Sequence, residues 1–403
     1  EDFLVEEIPL YEPEGEGEHI YLFVEKKNLS TFDLIDIVAR HFGVKRRDVG
    51  YAGLKDKAAI TRQVVSIHTP GRTPEDFPML QHPLVSVLWT DLHRNKLRLG
   101  HLRGNRFSIR IRNVSLDRVL DAQRVMKILH TRGVPNFFGP QRFGLSRSNH
   151  VLGRALVLDQ PLELARALFR HDASPNVRAA YEAGDFQKAL QICETWREPE
   201  RCILQQLVRA NATELDETLA RRGVREMSSR GTRFWNSALQ SAIFNEVLSR
   251  RLAAGTFDVV QPGDLAFKHV NGAVFRVGDG DEDAADLRHR LDTMEISPTG
   301  PLWGPKMMRP EREVEQLEIE ALAAHDLTPE QIDGRRADGW KVLDGARRPL
   351  RIPLTDPEIE AGADEHGVYV RLAFDLPRGC YATTVLREVM KVDAAGSAEE
   401  SEG

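Results

Sequence analysis

Cysteine is scarce: Cys193, Cys202 and Cys380 are the only three in 403 residues. An odd, widely spaced set excludes a disulfide framework and fits reduced thiols in a cytoplasm. The 13 histidines form no His-Glu-x-x-His, and none pairs with cysteine at zinc spacing, so no metal centre is indicated. No apolar run approaches the roughly 20 residues of a membrane span, and no cationic-then-apolar leader opens the chain. Gly15-Glu16-Gly17 lacks the third glycine and the following helix of a dinucleotide site. Asp279-Gly280-Asp281-Glu282-Asp283 alternates acids as a calcium loop does. Ala284, however, stands where glycine is needed, and Arg290 where the bidentate glutamate belongs. An acidic surface turn is the expectation there.

Net positive charge is also lacking. The chain carries −6, with 41% hydrophobic and 29% charged residues, the composition of an ordinary globular protein. That average hides a segregation. Residues 90–154 hold fourteen Lys/Arg against three Asp, a local balance of +11. A polyanion responds to such a local field, and arginine, which prevails here, suits bidentate phosphate contacts. RNA contact is one reading; solvated faces balanced by acids elsewhere in the fold is the other.

The length exceeds one hydrophobic core, which predicts two domains. Residues 20–25 read as a strand. Residues 30–42 read as an amphipathic helix capped by Ser30 or Thr31 and stopped at Gly43. Strands follow at 63–68, 83–88 and 107–112, then a helix at about 116–132 with Val119, Leu120, Val125, Met126 and Leu129 inward. From about 155 to 255 helical spacing is almost continuous, over 155–169, 181–196, 201–209 and 237–252, without a fixed repeat. Residues 258–305 return to short strands and loops. Glu311 to His325 is a helix, 368–374 a strand, and Tyr381 to Met390 a closing helix. The last 11 residues are small and acidic and read as disordered. Strand signals at both ends around a helical middle indicate α+β.

The most informative stretch is Gly53-Leu54-Lys55-Asp56-Lys57-Ala58-Ala59-Ile60, which sets one carboxylate between two lysines on a loop before a strand. Two ammonium groups favour the ionised form that a nucleophile or base needs. Spacing alone favours a turn aspartate with two solvated lysines.

Six collinear segments resemble the TruD-type pseudouridine synthases. They are Glu1-Asp2-Phe3-Leu4-Val5-Glu6-Glu7 with Gly15 to His19; Tyr51 to Lys57; Lys96 to Gly100 with Gly104-Asn105-Arg106-Phe107; Gly133 to Gly144; Ser237 to Asn245; and Gly379-Cys380-Tyr381 to Glu388. The resemblance implies a pseudouridine-synthase-like, mainly antiparallel sheet domain interrupted by a largely helical TRUD-type insertion. Residues 1–132 and 353–392 would form the catalytic domain, 133–352 the insertion, and 393–403 a disordered tail. It implies isomerisation of uridine in tRNA, at uridine 13 of the D-arm, without redox cofactor or metal. A buried uridine must be turned out of the folded RNA for this. Asp56 matches the family's nucleophile, attacking either the ribose carbon or the pyrimidine ring. Phe107 matches the aromatic packed on the base, Asn105 shares its strand face, and Phe3 and Tyr381 match two further aromatic positions. Lys55, Lys57 and Arg142 are candidates for the RNA backbone, Arg142 alternatively for a carboxylate. A basic residue that the family places just before the Asp-Phe motif has no counterpart after Glu1, so residues are expected to precede it. The implied partner is tRNA, and a cytoplasmic monomer is the expectation. A non-catalytic RNA-binding protein or RNA chaperone is the alternative; it would have no need of Asp56, Asn105 and Phe107 together.

Overall fold

The computed structural model describes residues 2–278, 284–333 and 343–391. The acidic turn at 279–283 and the tail at 393–403 lie outside them. The chain divides into two compact units: one runs to Val134 and resumes at Ile352, the other is Pro135–Arg351.

The first unit is built on an eight-stranded sheet. Its elements are β1 (Phe3–Pro9), β2 (His19–Lys27), α1 (Thr31–Phe42), β3 (Val49–Tyr51), β4 (Ile60–His68), β5 (Val85–His93), β6 (Leu102–Arg112), α2 (Arg118–Arg132), β7 (Thr355–Asp364), β8 (Gly367–Pro377) and α3 (Ala382–Met390). The strand order is β7-β8-β6-β1-β4-β2-β5, with β3 added to β4. Only β1 and β4 run parallel; the other pairings are antiparallel.

Side-chain alternation decides what covers the sheet. Ile20, Leu22 and Val24 of β2 and Val65 and Ile67 of β4 point to one face and bury Leu34, Ile35 and Val38 of α1. Ser30 caps that helix with a full capping box, and Gly43 ends it in the left-handed region (φ 66°). At the other end of the same face, Val5, Phe107, Ile109, Leu372, Phe374 and Leu376 pack with α2 and α3. The inward stripe of α2 is Ala122, Met126 and Leu129, at i, i+4 and i+7. Leu120, expected inward, lies off that stripe and is exposed.

Between these two apolar ends runs a polar row. Register sets Glu7 opposite Asn105, and Asn105 opposite Leu376; Val5 faces Phe107, which faces Phe374. Across β4, Lys26 faces Thr61 and Val24 faces Gln63. Glu7, Lys26, Thr61 and Gln63 are all buried.

In the second unit, short helices Asn149–Val157, Pro161–His171, Pro175–Glu182, Phe186–Ile192, Glu198–Arg209 and Glu217–Glu226 enclose one apolar cluster. Trp235, from the long helix Ser229–Ala253, joins that cluster. The expected single helices at 155–169 and 181–196 are each broken in two, at Leu158-Asp159-Gln160 before Pro161 and at Gly184-Asp185. Proline at a helix start and a left-handed glycine (φ 74° at Gly184) account for both breaks. A four-stranded sheet made by Ala346–Pro349, Ile296–Leu302, Leu265–Lys268 and Val274–Arg276 completes the unit.

Candidate active site

Asp56 lies in the irregular segment between β3 and β4, with an exposed side chain. The segment is held from beneath by buried polar contacts. Lys26, at the inward position that continues Ile20, Leu22 and Val24, is wholly buried. Its Nζ donates to the carbonyl oxygens of Leu29 and, at 3.1 Å, Asp56. Burial lowers its ammonium to about 8, and the neighbouring Asp56 carboxylate opposes that shift. On the other side, the Lys55 backbone N–H donates to Thr31 Oγ1 at 3.0 Å. Thr31 Oγ1 in turn donates to Gln63 Oε1 at 3.3 Å.

The Lys55 side chain points inward. Its ammonium pairs with Glu7 Oε2 at 2.9 Å, the two side chains being 4% and 1% exposed, and donates to Asn105 Oδ1 at 2.7 Å. Burial pushes the Glu7 carboxyl up, and Lys55 opposes that. Gly53 packs beside this pair: a Cβ there would lie at ordinary contact distance, 3.4 Å from Lys55 Nζ and 3.8 Å from Glu7 Oε2. The two lysines flanking Asp56 are therefore unlike. Lys57 is exposed beside it, whereas Lys55 is committed to Glu7 and Asn105 and is not a free phosphate contact.

Phe107 is buried, with its ring 6.4 Å from Phe3 and 5.7 Å from Phe374. Phe3 is half-buried and borders a cavity of about 390 Å³ together with Asp2, Lys27, Asn28, Ala58, Ala59 and Ile60. The ring that meets the cavity is thus Phe3, and Phe107 lies behind it. Tyr381 caps α3 through its backbone and is 55% exposed. It is not among the rings stacked with Phe3 or Phe107. Two of the six segments meet here, where the Gly100 N–H donates to Ala52 O at 2.8 Å, and Arg378, which precedes a third, donates to Gly100 O at 2.6 Å. In Gly104-Asn105-Arg106-Phe107, glycine is required because a Cβ at 104 would stand 2.3 Å from Leu376 O.

Arg142 belongs to the second unit. Its guanidinium donates to the hydroxyls of Ser237 and Ser241 and lies over the Phe138 and Phe234 rings. Within the chain its hydrogen-bond partners are these two hydroxyls and not the carboxylate that was the alternative to phosphate. Asn245 receives the Phe138 N–H at 2.9 Å and donates back to Phe138 O at 3.0 Å. The stretch around Phe138 and the segment 237–245 therefore clasp each other.

The sheet also answers the local excess of basic residues. Arg106 pairs with Asp375 and Glu358, Arg112 with Asp2 and Asp364, Arg110 with Asp364, and Arg94 with Glu14 and Glu16. Acids distant in sequence neutralise much of the +11. Arg98 and Arg103 remain exposed.

Glu7 and Lys26 were missed by sequence reasoning. Both occupy inward positions of alternating strands, and that alternation was the signal available.

The decisive comparison is with a family model. The description tRNA pseudouridine synthase D (TruD) matches residues 1–389. The chain belongs to the TruD family. It is 43% identical over 403 residues to tRNA pseudouridine synthase D of Geobacter sulfurreducens, with 98% of this chain and 94% of that one covered. It is 42% identical to the Geobacter metallireducens protein of that name (97% and 93% covered), and 38% identical to that of Thermus thermophilus (98% and 88%). The crystal structure of a Methanosarcina mazei chain assigned to TruD matches with a TM-score of 0.83 at 28% identity, covering 98% of this chain and 92% of that one. The TruD fold is α+β, as the strand and helix signals predicted. No helix among the described residues is long and apolar enough to cross a membrane.

Proposed function

We propose that this TruD-family chain isomerises uridine to pseudouridine in tRNA, at uridine 13 of the D-arm, with Asp56 as the nucleophile. The bond between ribose C1′ and N1 breaks and one between C1′ and C5 forms. The proton on C5 leaves and N1 gains one, so no electron enters or departs. A carboxylate suits this task because it attacks, holds one fragment covalently and then leaves. Phe3 and Phe107 supply an aromatic platform, for which stacking is worth roughly 1–3 kcal/mol per base. Asn105 meets the pyrimidine, Lys57 meets phosphate, and Tyr381 borders the turned-out nucleotide. In this reading the enzyme works as a cytoplasmic monomer.

One observation carries the reading: Asp56 is exposed on a loop that Lys26 and Thr31 hold through its backbone. Unmodified tRNA incubated with the wild type and with Asp56→Asn tests it. The expected result is pseudouridine at position 13 from the wild type and none from the variant, with tRNA affinity retained. Tight binding without product from the wild type would replace the isomerase reading with a binding protein.

A further inference from the structure

Asn105 stands at the junction of two observations, the buried ion pair beneath it and its own free amino group. Its Oδ1 accepts from Lys55 Nζ at 2.7 Å. A lysine ammonium only donates, so the atom facing it must be the amide oxygen and not the nitrogen. Glu7 Oε2 lies 2.9 Å from the same Nζ, and both side chains are almost fully covered. Among the described residues the Asn105 Nδ2 amino group has no hydrogen-bond partner, and Asn105 is half-buried. Strand register adds rigidity, because Glu7 and Asn105 are directly opposite on paired strands and Gly104 lets β8 lie close against β6.

We propose that the Glu7–Lys55 pair is a positioning device that locks the Asn105 amide with its NH2 group outward, as a fixed donor to one ring carbonyl of the target pyrimidine. This rests on the reading of Asp56 and Asn105 as one active site. An amide free to turn would offer a donor or an acceptor equally well. A locked one discriminates, since a site built to donate leaves a mismatched ring unpaired. If the carbonyl is O4, the lock selects uridine over cytidine, which carries an amine there.

The test couples enzyme and substrate variants. Transcripts carrying uridine, 4-thiouridine or 2-thiouridine at the reactive position are assayed for kcat/KM with the wild type, Asn105→Asp and Lys55→Met. Sulfur accepts hydrogen bonds poorly, so one thiouridine is expected to lower the wild-type value about fivefold. Asn105→Asp keeps the side-chain shape and remains a partner for Lys55, so it preserves the fold, but it has no donor. It should lose about as much with uridine and show no further loss with that thiouridine. Lys55→Met, which frees the amide, should reduce the coupling in the same direction. A wild type indifferent to both thiouridines, or a full thio effect retained in Asn105→Asp, would overturn the proposal. Failure of the Asp56 reading shows separately, as turnover by Asp56→Asn on the uridine transcript.

Discussion

Lys26 Nζ, without solvent exposure, donates to the carbonyl oxygen of Asp56 at 3.1 Å. A buried lysine thus holds the backbone of the residue proposed as the nucleophile, while the Asp56 side chain is exposed. Lys26→Met removes that tie and leaves two carbonyl oxygens short of a donor. The expected result is a fall in turnover of about 10²-fold, as a small misplacement of a reacting group produces, with tRNA affinity little changed. An unaltered kcat would show that the loop holds without it.

The same lysine makes a pH prediction. Its pKa is about 8 in the folded chain against 10.5 in the unfolded one. Below about 8 both states hold the proton. Between about 8 and 10.5 only the unfolded state does, so stability contributed at this site rises with pH across that window. Urea midpoints of the wild type should therefore gain on those of Lys26→Met from pH 8 to pH 10. A constant difference would mean that the ammonium is not destabilised by burial.

Much of this molecule is written in local pattern. The cap at Ser30 or Thr31 and the stop at Gly43 announced α1, apolar runs announced β2 and β4, and alternation announced β6. The α+β class followed from those elements. What stayed hidden depends on partners far along the chain. The strand Thr355–Asp364 escaped notice because Pro357, Glu358 and Glu360 disfavour a central strand; it lies at the sheet edge, where charged residues deter further pairing. The fate of Lys55 was equally invisible, since Glu7 and Asn105 reach it only through strand pairing. So was the neutralisation of the basic segment, whose acids come from both ends of the chain. At the site, Asp56, Asn105 and Phe107 were singled out by motif, whereas Lys26 and Glu7 were readable only as polar residues at inward strand positions.

That neutralisation predicts how salt should act. Arg98 and Arg103 are exposed, whereas Arg112 is held by Asp2 and Asp364. Arg98→Ala and Arg103→Ala should each reduce the salt dependence of tRNA affinity by about one phosphate contact. Arg112→Ala should leave that slope in place and lower the unfolding temperature instead. Equal slopes lost at all three would show that the paired arginines also meet RNA.

Gly104 sits where strand approach leaves no space, since a Cβ there would stand 2.3 Å from Leu376 O. Gly104→Ala must push β8 from β6, and with it shift Asn105 and Phe107. The expected cost is about 2–3 kcal/mol, read as a lower melting temperature, together with lost turnover. A variant of native stability and activity would show that the strands part easily.

In the second unit Arg347 and Glu318 form a pair with 2% and 1% side-chain exposure. The guanidinium donates to both carboxylate oxygens, at 2.6 and 2.8 Å, and to Thr299 O at 3.1 Å. Because both charges are out of water, removing one strands the other. Glu318→Ala should cost about 3–5 kcal/mol, whereas replacing both with apolar residues of similar volume should cost much less. Chemical denaturation of Glu318→Ala, Arg347→Met and the double variant measures this. A double variant as unstable as the sum of the singles would mean that the pair contributes through its separate contacts. Recovery in the double variant would instead identify the uncompensated charge as the cause.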